Sequence, residues 1–225
     1  MIKELFITGI DTGIGKTIAT GLIAKFLQHK GVNTITHKMV QTGCTDTSED
    51  ILIHRKIMDV NLFPEDKQNM TCSYLFKHPA SPHLAADLEK KKIDPGFIQE
   101  HTVELKKRFD LVLIEGAGGL QVPLNREVTI LDYIEKYQIP VVLVSSSKLG
   151  SINHTLLSLD ALKQRNLDLK GVVYNTYPES DPYISADSIK VIADYLRQNE
   201  FNIKIVGLGS IDLEKPPLVD FSTFF

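Results

Sequence analysis

A glycine-rich segment near the amino terminus has the residue types and spacing of an anion-binding loop. It reads GIDTGIGKT from Gly9 to Thr17, after the apolar run LFI and before a stretch with helical periodicity. Glycines let backbone N–H groups converge on a phosphate, and the amino terminus of the following helix adds positive potential. Lys16 would contact the β- and γ-phosphates, and Thr17 would hold Mg²⁺. Five residues, not the usual four, separate Gly9 from Gly15, so either this interpretation is one residue too long or the loop belongs to a variant class.

A carboxylate follows a second apolar run. Glu115 comes directly after LVLI (111–114) and before the glycine-rich stretch GAGG (116–119). We predict that it emerges where a buried strand ends, beside the anion-binding loop, where an enzyme of this type needs a carboxylate for Mg²⁺. The alternative is a surface glutamate ahead of a flexible loop.

The sequence favours adenine over guanine as the base of a bound nucleotide. A guanine reader would show an Asn-Lys-x-Asp element after a late strand, and here the strand at 172–174 continues as Asn175-Thr176-Tyr177. No carboxylate follows at the expected place. Asn175 is then the candidate reader of the adenine edge.

Apolar runs that alternate with amphipathic stretches indicate the elements that position these residues. Strands are predicted at 5–7, 34–36, 111–114, 141–144, 172–174 and 203–206, and helices at 16–30, 50–58, 82–91, 95–108, 129–138, 152–165 and 183–199. Continuous apolar strands separated by helices predict an α/β fold of the P-loop NTPase type, with a doubly wound, mostly parallel sheet and helices on both faces. We expect residues 1–225 to form a single ATP-binding domain.

Two segments are less regular. Residues 59–80 contain Pro64 and Pro79 and predict a loop, an edge strand at Ser73 to Phe76, or both. The tail from Asp212 onward contains prolines and is expected to be irregular.

Composition excludes several classes of protein. A net charge of −3 without a basic block gives no footprint for nucleic acid, and no stretch approaches the roughly 20 apolar residues of a membrane helix. Two cysteines, Cys44 and Cys72, lack zinc-site spacing and are expected to be free thiols. We therefore expect a cytoplasmic protein that binds neither nucleic acid nor membrane.

Five segments together resemble the dethiobiotin synthetase family, in the family's order along the chain. They are GIDTGIGKT at 9–17, HKMVQTG at 37–43, SPH at 81–83, EGAGG at 115–119 and KLGSINH at 148–154. That family's phosphate loop has the same five-residue spacing, which removes the anomaly noted above. The sequence departs from the common family pattern at Gly13, Met39 and Thr42, where an acidic residue, a proline and a serine are frequent.

The resemblance implies an ATP-dependent ring closure. In that reaction 7,8-diaminononanoate takes up CO₂ as a carbamate, ATP phosphorylates the carbamate, and the second amine displaces phosphate to form the cyclic urea. By resemblance Lys16 and Lys38 would bracket the carbamate and the γ-phosphate, with hydroxyl hydrogen bonds from Thr12 and Thr42. Two ammonium groups and a dication would offset the repulsion between two reacting anions.

The resemblance also implies a full set of site residues. Mg²⁺ would be held by Thr17, Asp50 and Glu115, where Asp50 is chosen over the nearby Asp46 and Glu49. The catalytic residues would be Lys38, Lys16 and Thr12. The nucleotide would contact Gly13, Ile14, Gly15, Lys16, Thr17, Ile18, Glu115, Gly118 and Asn175. The family works as a homodimer, and Gly150, Ser151, Ile152 and Asn153 would bind the substrate carboxylate across the interface. His154 and His83 are interpreted as structural residues.

Two other functions compete with this interpretation. A partitioning or regulatory ATPase of the same architecture often carries a second lysine early in the loop, and the position five before Lys16 is Asp11. A small-metabolite kinase would stop at a phosphorylated product, whereas ring closure would release free phosphate together with the cyclised product.

Overall fold

The computed structural model describes residues 2–178 and 181–225. Within them, seven strands alternate with eight helices. The strands are β1 Glu4–Gly9, β2 Thr34–Thr42, β3 Cys72–Phe76, β4 Leu111–Gly119, β5 Val141–Ser146, β6 Leu169–Asn175 and β7 Lys204–Leu208. The helices are α1 Lys16–His29, α2 Glu49–Met58, α3 Pro64–Lys67, α4 Pro82–Leu88, α5 Pro95–Lys106, α6 Ile130–Tyr137, α7 Ser151–Gln164 and α8 Pro182–Gln198.

All seven strands pair in parallel, in the order β3-β2-β4-β1-β5-β6-β7. Parallel neighbours require crossover connections, and the helices between them supply these. The strand order reverses direction around β1, which lies between β4 and β5. Ligands of open parallel sheets bind beyond the carboxyl ends of the strands at such a reversal, and the loop after β1 is the predicted phosphate loop.

The sheet is covered on both faces by apolar side chains. One cluster joins α1 and α2 to the sheet through residues such as Leu22, Phe26 and Ile57. The other packs α5, α6, α7 and α8 on the opposite face, with Tyr133 and Leu159 among its fully buried members. Burial on both faces explains why the strand interiors are continuous apolar runs without alternation. The predicted α/β architecture is confirmed.

Several strands are longer than their apolar runs. β2 continues from Thr36 through the polar residues His37 and Lys38 to Thr42, and β4 continues past Glu115 to Gly119. The prediction that Glu115 emerges at the end of its strand is therefore wrong, because β4 continues for four residues beyond it, and the residue is fully buried. The edge strand predicted at Ser73 to Phe76 is confirmed as β3, and the short helix α3 was not predicted.

The carboxyl-terminal segment is irregular, as expected, apart from a 3₁₀ turn at Ser222–Phe224. It is nevertheless part of the core, because Phe221 and Phe224 are buried. Phe221 meets Phe26 edge-on at 6.0 Å between ring centroids. Phe224 occupies the space that a side chain at residue 171 of β6 would fill: a Cβ on Gly171 would lie 2.1 Å from the Phe224 ring.

His37 is a fully buried titratable group on β2. Its Nδ1 lies 3.1 Å from Thr102 Oγ1 and its Nε2 2.8 Å from Ser73 Oγ. Burial, with a smaller contribution from His101, lowers the pKa of His37 from 6.5 to about 3. The folded chain therefore keeps this ring neutral at pH values where an exposed histidine takes up a proton.

This shift predicts a loss of stability in weak acid. Between pH 6.5 and about 3, His37 is protonated in the unfolded chain and neutral in the folded chain. The free energy of unfolding therefore decreases as the pH falls through this range. From pH 7 to pH 5 we expect His37 to remove about 2 kcal/mol from the free energy of unfolding. Urea unfolding at several pH values measures this free energy.

Two variants isolate the effect. His37→Gln should reduce the decrease between pH 7 and pH 5, whereas His29→Gln, at an exposed residue, should leave it unchanged. An undiminished decrease in His37→Gln would show that other groups cause the acid sensitivity.

Candidate active site

Most of the predicted site residues converge on a cleft at the carboxyl edge of the sheet. The cleft has a volume of about 610 Å³ and lies between the phosphate loop, the end of β2, the first turn of α2 and the stretch 115–118 of β4. The segment 79–82, ahead of α4, closes one side. Elements distant in sequence thus meet at the strand reversal around β1, as the fold requires.

The phosphate loop has the backbone conformation that its glycines permit. Gly13 and Gly15 have φ values of 71° and 96°, a left-handed region that favours glycine. Gly15 also precedes α1 directly, and a Cβ at this residue would lie 2.6 Å from Asn175 Nδ2. The loop therefore needs glycine here both for its turn and for its contact with β6.

Lys16 begins α1, and its side chain folds back over the loop. Its Nζ donates to the Asp11 carbonyl at 2.6 Å, and the residue is buried. Burial, and next the positive charge of Lys38, lower the pKa of Lys16 to about 8. An anion such as a phosphate would relieve this destabilisation of the ammonium form.

Thr17, Asp50 and Glu115 lie together at the base of the cleft. The hydroxyl of Thr17 is 3.0 Å from Asp50 Oδ1 and 3.1 Å from Glu115 Oε1. Asp50 belongs to the first turn of α2, whose N-cap is Ser48. The structure brings all three predicted metal ligands together, although they come from three separate elements.

Lys38 is placed between the two carboxylates. Its Nζ lies 2.5 Å from Asp50 Oδ2 and 2.8 Å from Glu115 Oε1, and it also donates to the Gly116 carbonyl at 3.1 Å. Burial alone would lower the pKa of Lys38, but the charges of Glu115 and Asp50 outweigh it and hold the pKa above the ordinary range. Lys38 is thus a charged, buried group of the cleft and not a surface lysine.

Glu115 is held ionised by the same pair. Burial would raise the pKa of its carboxyl, but the charge of Lys38 and a hydrogen bond from His54 outweigh burial and keep the pKa well below the ordinary range. A buried charge is tolerated only when it is paired and hydrogen-bonded, and each oxygen of Glu115 has a partner.

His54 is a residue of this site that the sequence did not indicate. Its Nε2 is 2.7 Å from Glu115 Oε2, and its Nδ1 is 3.0 Å from Thr36 Oγ1. One signal could have found it. His54 lies four residues after Asp50 on α2, and residues four apart share a helix face.

Thr12, Thr42 and Gly118 line the cleft. Thr12 is exposed at the tip of the loop, and Thr42 is the last residue of β2. Gly118 has a φ of 76°, and a Cβ there would lie 2.8 Å from Val122. Ile14 is buried beneath the loop, and Ile18 is partly buried in the first turn of α1.

Asn175 ends β6, and its amide bonds to the backbone. Its Nδ2 donates to the Ile14 carbonyl at 2.9 Å and the Tyr177 carbonyl at 3.1 Å, while its Oδ1 accepts from the Tyr177 N–H at 3.0 Å. In this structure Asn175 supports the phosphate loop. Reading adenine would require it to exchange one of these bonds.

The segment predicted to bind the substrate carboxylate lies on the far side of the phosphate loop. Gly150, with a φ of 95°, precedes α7, and Ser151 is buried with its hydroxyl 2.8 Å from Ser146 Oγ. Ile152 and Asn153 follow in the first helical turn, Asn153 being exposed. Gly150 and Ser151 line a cavity of about 300 Å³ together with residues 10–14 of the phosphate loop, and none of residues 150–153 lines the cleft within one chain.

An apolar hollow of about 630 Å³ adjoins α7. We define the apolar hollow by its main lining residues, which are Ile10, Leu120, Val122, Pro123, Leu157 and Ala161. Leu157 is 59% exposed, although it is a large apolar side chain.

In the described part of the chain, no helix combines the length and the apolar character needed to cross a membrane.

The donor set fits Mg²⁺ better than a metal held by protein alone. Among residues 2–178 and 181–225, no three His, Cys, Asp or Glu side chains are grouped so that they could enclose a metal ion. Two carboxylates and a hydroxyl next to a phosphate loop match Mg²⁺, which keeps several waters and takes its remaining ligands from a nucleotide's phosphates.

Comparison with known proteins identifies the family. Residues 3–212 match the family model described as an AAA domain. The chain is 53% identical over 198 residues to the ATP-dependent dethiobiotin synthetase BioD 2 of Pasteurella multocida, which covers 88% of this chain and 93% of that protein. It is 48% identical over 216 residues to the ATP-dependent dethiobiotin synthetase BioD of Chlorobaculum tepidum, with 96% and 90% covered.

Solved structures with the same fold are more distant. The structure of pNOB8 ParA bound to nonspecific DNA aligns with a TM-score of 0.57 at 13% identity, covering 97% of this chain and 91% of that one. A ParA family ATPase from Chlorobium tepidum aligns with a TM-score of 0.52 at 13% identity, covering 91% and 85%. At such identities the likeness shows the fold alone. The extent and identity of the sequence matches, together with the phosphate loop and the carboxylates that meet it, place this chain in the ATP-dependent dethiobiotin synthetase family.

Proposed function

We propose that the cleft between the phosphate loop and the carboxyl ends of β2 and β4 is where this chain carries out its family's reaction. That reaction is the ATP-dependent ring closure of 7,8-diaminononanoate with CO₂ to dethiobiotin, with release of ADP and phosphate. It makes the chain a ligase (EC 6.3.3.3) of biotin biosynthesis. The observation that carries the assignment of the cleft is the meeting of Lys16, Thr17, Lys38, Asp50 and Glu115 around one point.

The reaction first brings two anions together and then expels an anion. A carbamate oxygen attacks the γ-phosphorus and ADP leaves with the electrons of the broken P–O bond. The second amine of the substrate, neutral and unprotonated, then attacks the carbamate carbon, phosphate leaves with the C–O bond electrons, and the amine nitrogen loses one proton to solvent. Fixed positive charges aimed at the reacting oxygens lower both barriers.

Lys16 and Lys38 are the side chains that we assign to this electrostatic task. Lys16 already reaches over the phosphate loop, where its Nζ would meet the β- and γ-phosphates. Lys38 is held charged by Asp50 and Glu115, so it can face the carbamate without first taking up a proton. Thr12 and Thr42, at the rim of the cleft, would add hydroxyl hydrogen bonds.

Mg²⁺ completes the proposed site. The oxygen atoms of Thr17, Asp50 and Glu115 would hold it, and when bound it would supply positive charge to the oxygens of the transferred phosphoryl group. The Glu115 carboxylate is suited to this because its pKa is held low.

The nucleotide is proposed to lie along the phosphate loop. Its phosphates would contact Gly13, Gly15 and the start of α1 as far as Ile18, with Gly118 close by. Asn175 remains the proposed reader of the adenine. The backbone bonds of Asn175 tie it to Ile14, so base recognition there would be coupled to the loop itself.

A second copy of the chain is proposed to complete the substrate site. The α7 first turn, from Gly150 to Asn153, lies outside the lining of the cleft in its own chain, and a helix amino terminus suits a carboxylate. The apolar hollow beside α7 offers unpaired apolar surface for such a contact. We place the dimer in the cytoplasm, where ATP is available and where free thiols such as Cys44 and Cys72 persist.

The first test is phosphate release from Mg-ATP, with and without diaminononanoate, in buffer supplied with CO₂ or stripped of it. We expect release only when both substrates are present, in equal measure with the cyclised product. Release that is indifferent to CO₂ would contradict ring closure and favour a switch ATPase. A stable phosphorylated product would favour a kinase.

Lys38→Ala tests the carbamate role. We expect turnover to fall by at least about 100-fold, because one electrostatic donor to the transition state is lost. ATP affinity, measured by calorimetry, should change little, since Lys16 and the loop remain. Lys67→Ala, on the exposed face of α3, serves as the control. Near wild-type turnover in a folded Lys38→Ala would contradict the role.

Leu157→Glu tests the interface. A carboxylate in the apolar hollow should separate the dimer in sedimentation and abolish turnover, because each substrate site would lose the partner's α7 turn. Leu52→Glu, an exposed leucine on α2 outside the hollow, should do neither. A fully active monomer would remove the proposal of a shared site.

A further inference from the structure

The two oxygens of Glu115 have different partners. Oε1 faces the cleft, where it accepts from Lys38 at 2.8 Å and from Thr17 at 3.1 Å. Oε2 faces the interior, where His54 Nε2 lies at 2.7 Å. His54 and Glu115 are both fully buried. Whether His54 Nε2 donates a hydrogen bond to Oε2 therefore determines how the Glu115 carboxylate is oriented in the cleft.

A series of hydrogen bonds runs from Arg55 through Thr36 to His54. The Arg55 guanidinium is held by Asp66 through two bonds of 2.8 Å, from Nε and Nη2. Its Nη1 donates to Thr36 Oγ1 at 2.8 Å. A guanidinium has no acceptor atom, so the direction of this bond is fixed.

The Thr36 hydroxyl connects Arg55 to His54. Its hydroxyl has one proton and accepts from Arg55, and its other hydrogen bond among the described residues is to His54 Nδ1 at 3.0 Å. The hydroxyl proton can be used only if His54 Nδ1 accepts it. A proton on Nδ1 would leave a buried hydroxyl proton unpaired, at a cost of about 1–3 kcal/mol. With Nδ1 as acceptor, the ring proton is on Nε2, pointing at Glu115.

We propose that His54 is a positioning residue for the reaction of this chain. The directed series Arg55, Thr36, His54, Glu115 fixes the Nε2–H tautomer of His54, which donates to Glu115 Oε2 and leaves Oε1 turned to the phosphates. This role rests on the proposed function of Glu115 as a ligand in the cleft. Residues that hold a metal-binding side chain from behind contribute to affinity without touching the metal.

The tautomer is tested on the wild-type chain. Long-range ¹H–¹⁵N spectra of the full chain with ¹⁵N-labelled histidine, with His54→Gln used to assign the signal, show which ring nitrogen carries the proton. We expect Nε2 alone. A proton on Nδ1, or on both nitrogens, would overturn the proposal. Thr36→Ser should leave the Nδ1 signal of His54 unchanged because it keeps the hydroxyl donor. Thr36→Val removes that donor and should change the Nδ1 signal, whereas Nε2 keeps its proton because the ionised Glu115 still accepts from it.

The positioning role is tested by Mn²⁺ binding in the presence of ATP, followed by electron paramagnetic resonance. His54→Leu should weaken binding by about 10–100-fold, as for other residues behind a metal ligand. His54→Gln keeps an N–H in reach of Glu115 and should restore most of the affinity. Circular dichroism checks that each variant is folded, and the spectra of the wild-type chain decide the question if His54→Leu does not fold.

Two failures are distinguishable. A wild-type chain that binds no Mn²⁺ with ATP would contradict the proposed metal site, and with it the proposed function of the cleft. A wild-type chain that binds Mn²⁺, together with folded His54 variants that bind it equally well, would contradict only the role of His54.

Discussion

The buried ion pair between Lys38 and Glu115 is the interaction on which the site depends. Both groups are buried, and an isolated buried charge would be several kcal/mol less favourable than one in water. Lys38 on β2 and Glu115 on β4 each need the opposite charge of the other to be stable in this buried position. The parallel register that sets Lys38 beside Glu115 is therefore part of the chemistry as well as of the fold.

Other elements supply the remaining polar groups around the pair of Lys38 and Glu115. Asp50 comes from the start of α2, Thr17 from the start of α1, and the Gly116 carbonyl from β4 itself. All are contributed at the carboxyl edge of the sheet, where the strand order reverses. The helix amino termini that can bind an anion and the buried charges thus lie at the same edge of the sheet. At the opposite edge the fold needs only loops that connect helices to strands.

The sequence was sufficient for the parts of the site that follow local rules. The phosphate loop, the alternation of strands and helices, and the presence of a carboxylate at Glu115 all follow from short-range pattern. The lengths of β2 and β4 did not follow, because their polar residues interrupt the apolar runs. His37 and Lys38 are tolerated inside a strand only through partners far away in the chain, and no local pattern reveals those partners. His54 was missed because its partners Thr36 and Glu115 are distant in the sequence, and its position four residues after Asp50 is the one local signal.

The hydrogen-bonded series from Arg55 to Glu115 also bears on how such a site can change over evolutionary time. Each of Arg55, Thr36 and His54 satisfies a buried group of the next, so replacing one alone leaves a polar atom stranded. Replacing several together with apolar residues would remove both partners at once. The effects of substitutions at these positions are therefore strongly non-additive. We therefore expect residues 36, 54 and 55 to be replaced together more readily than one at a time.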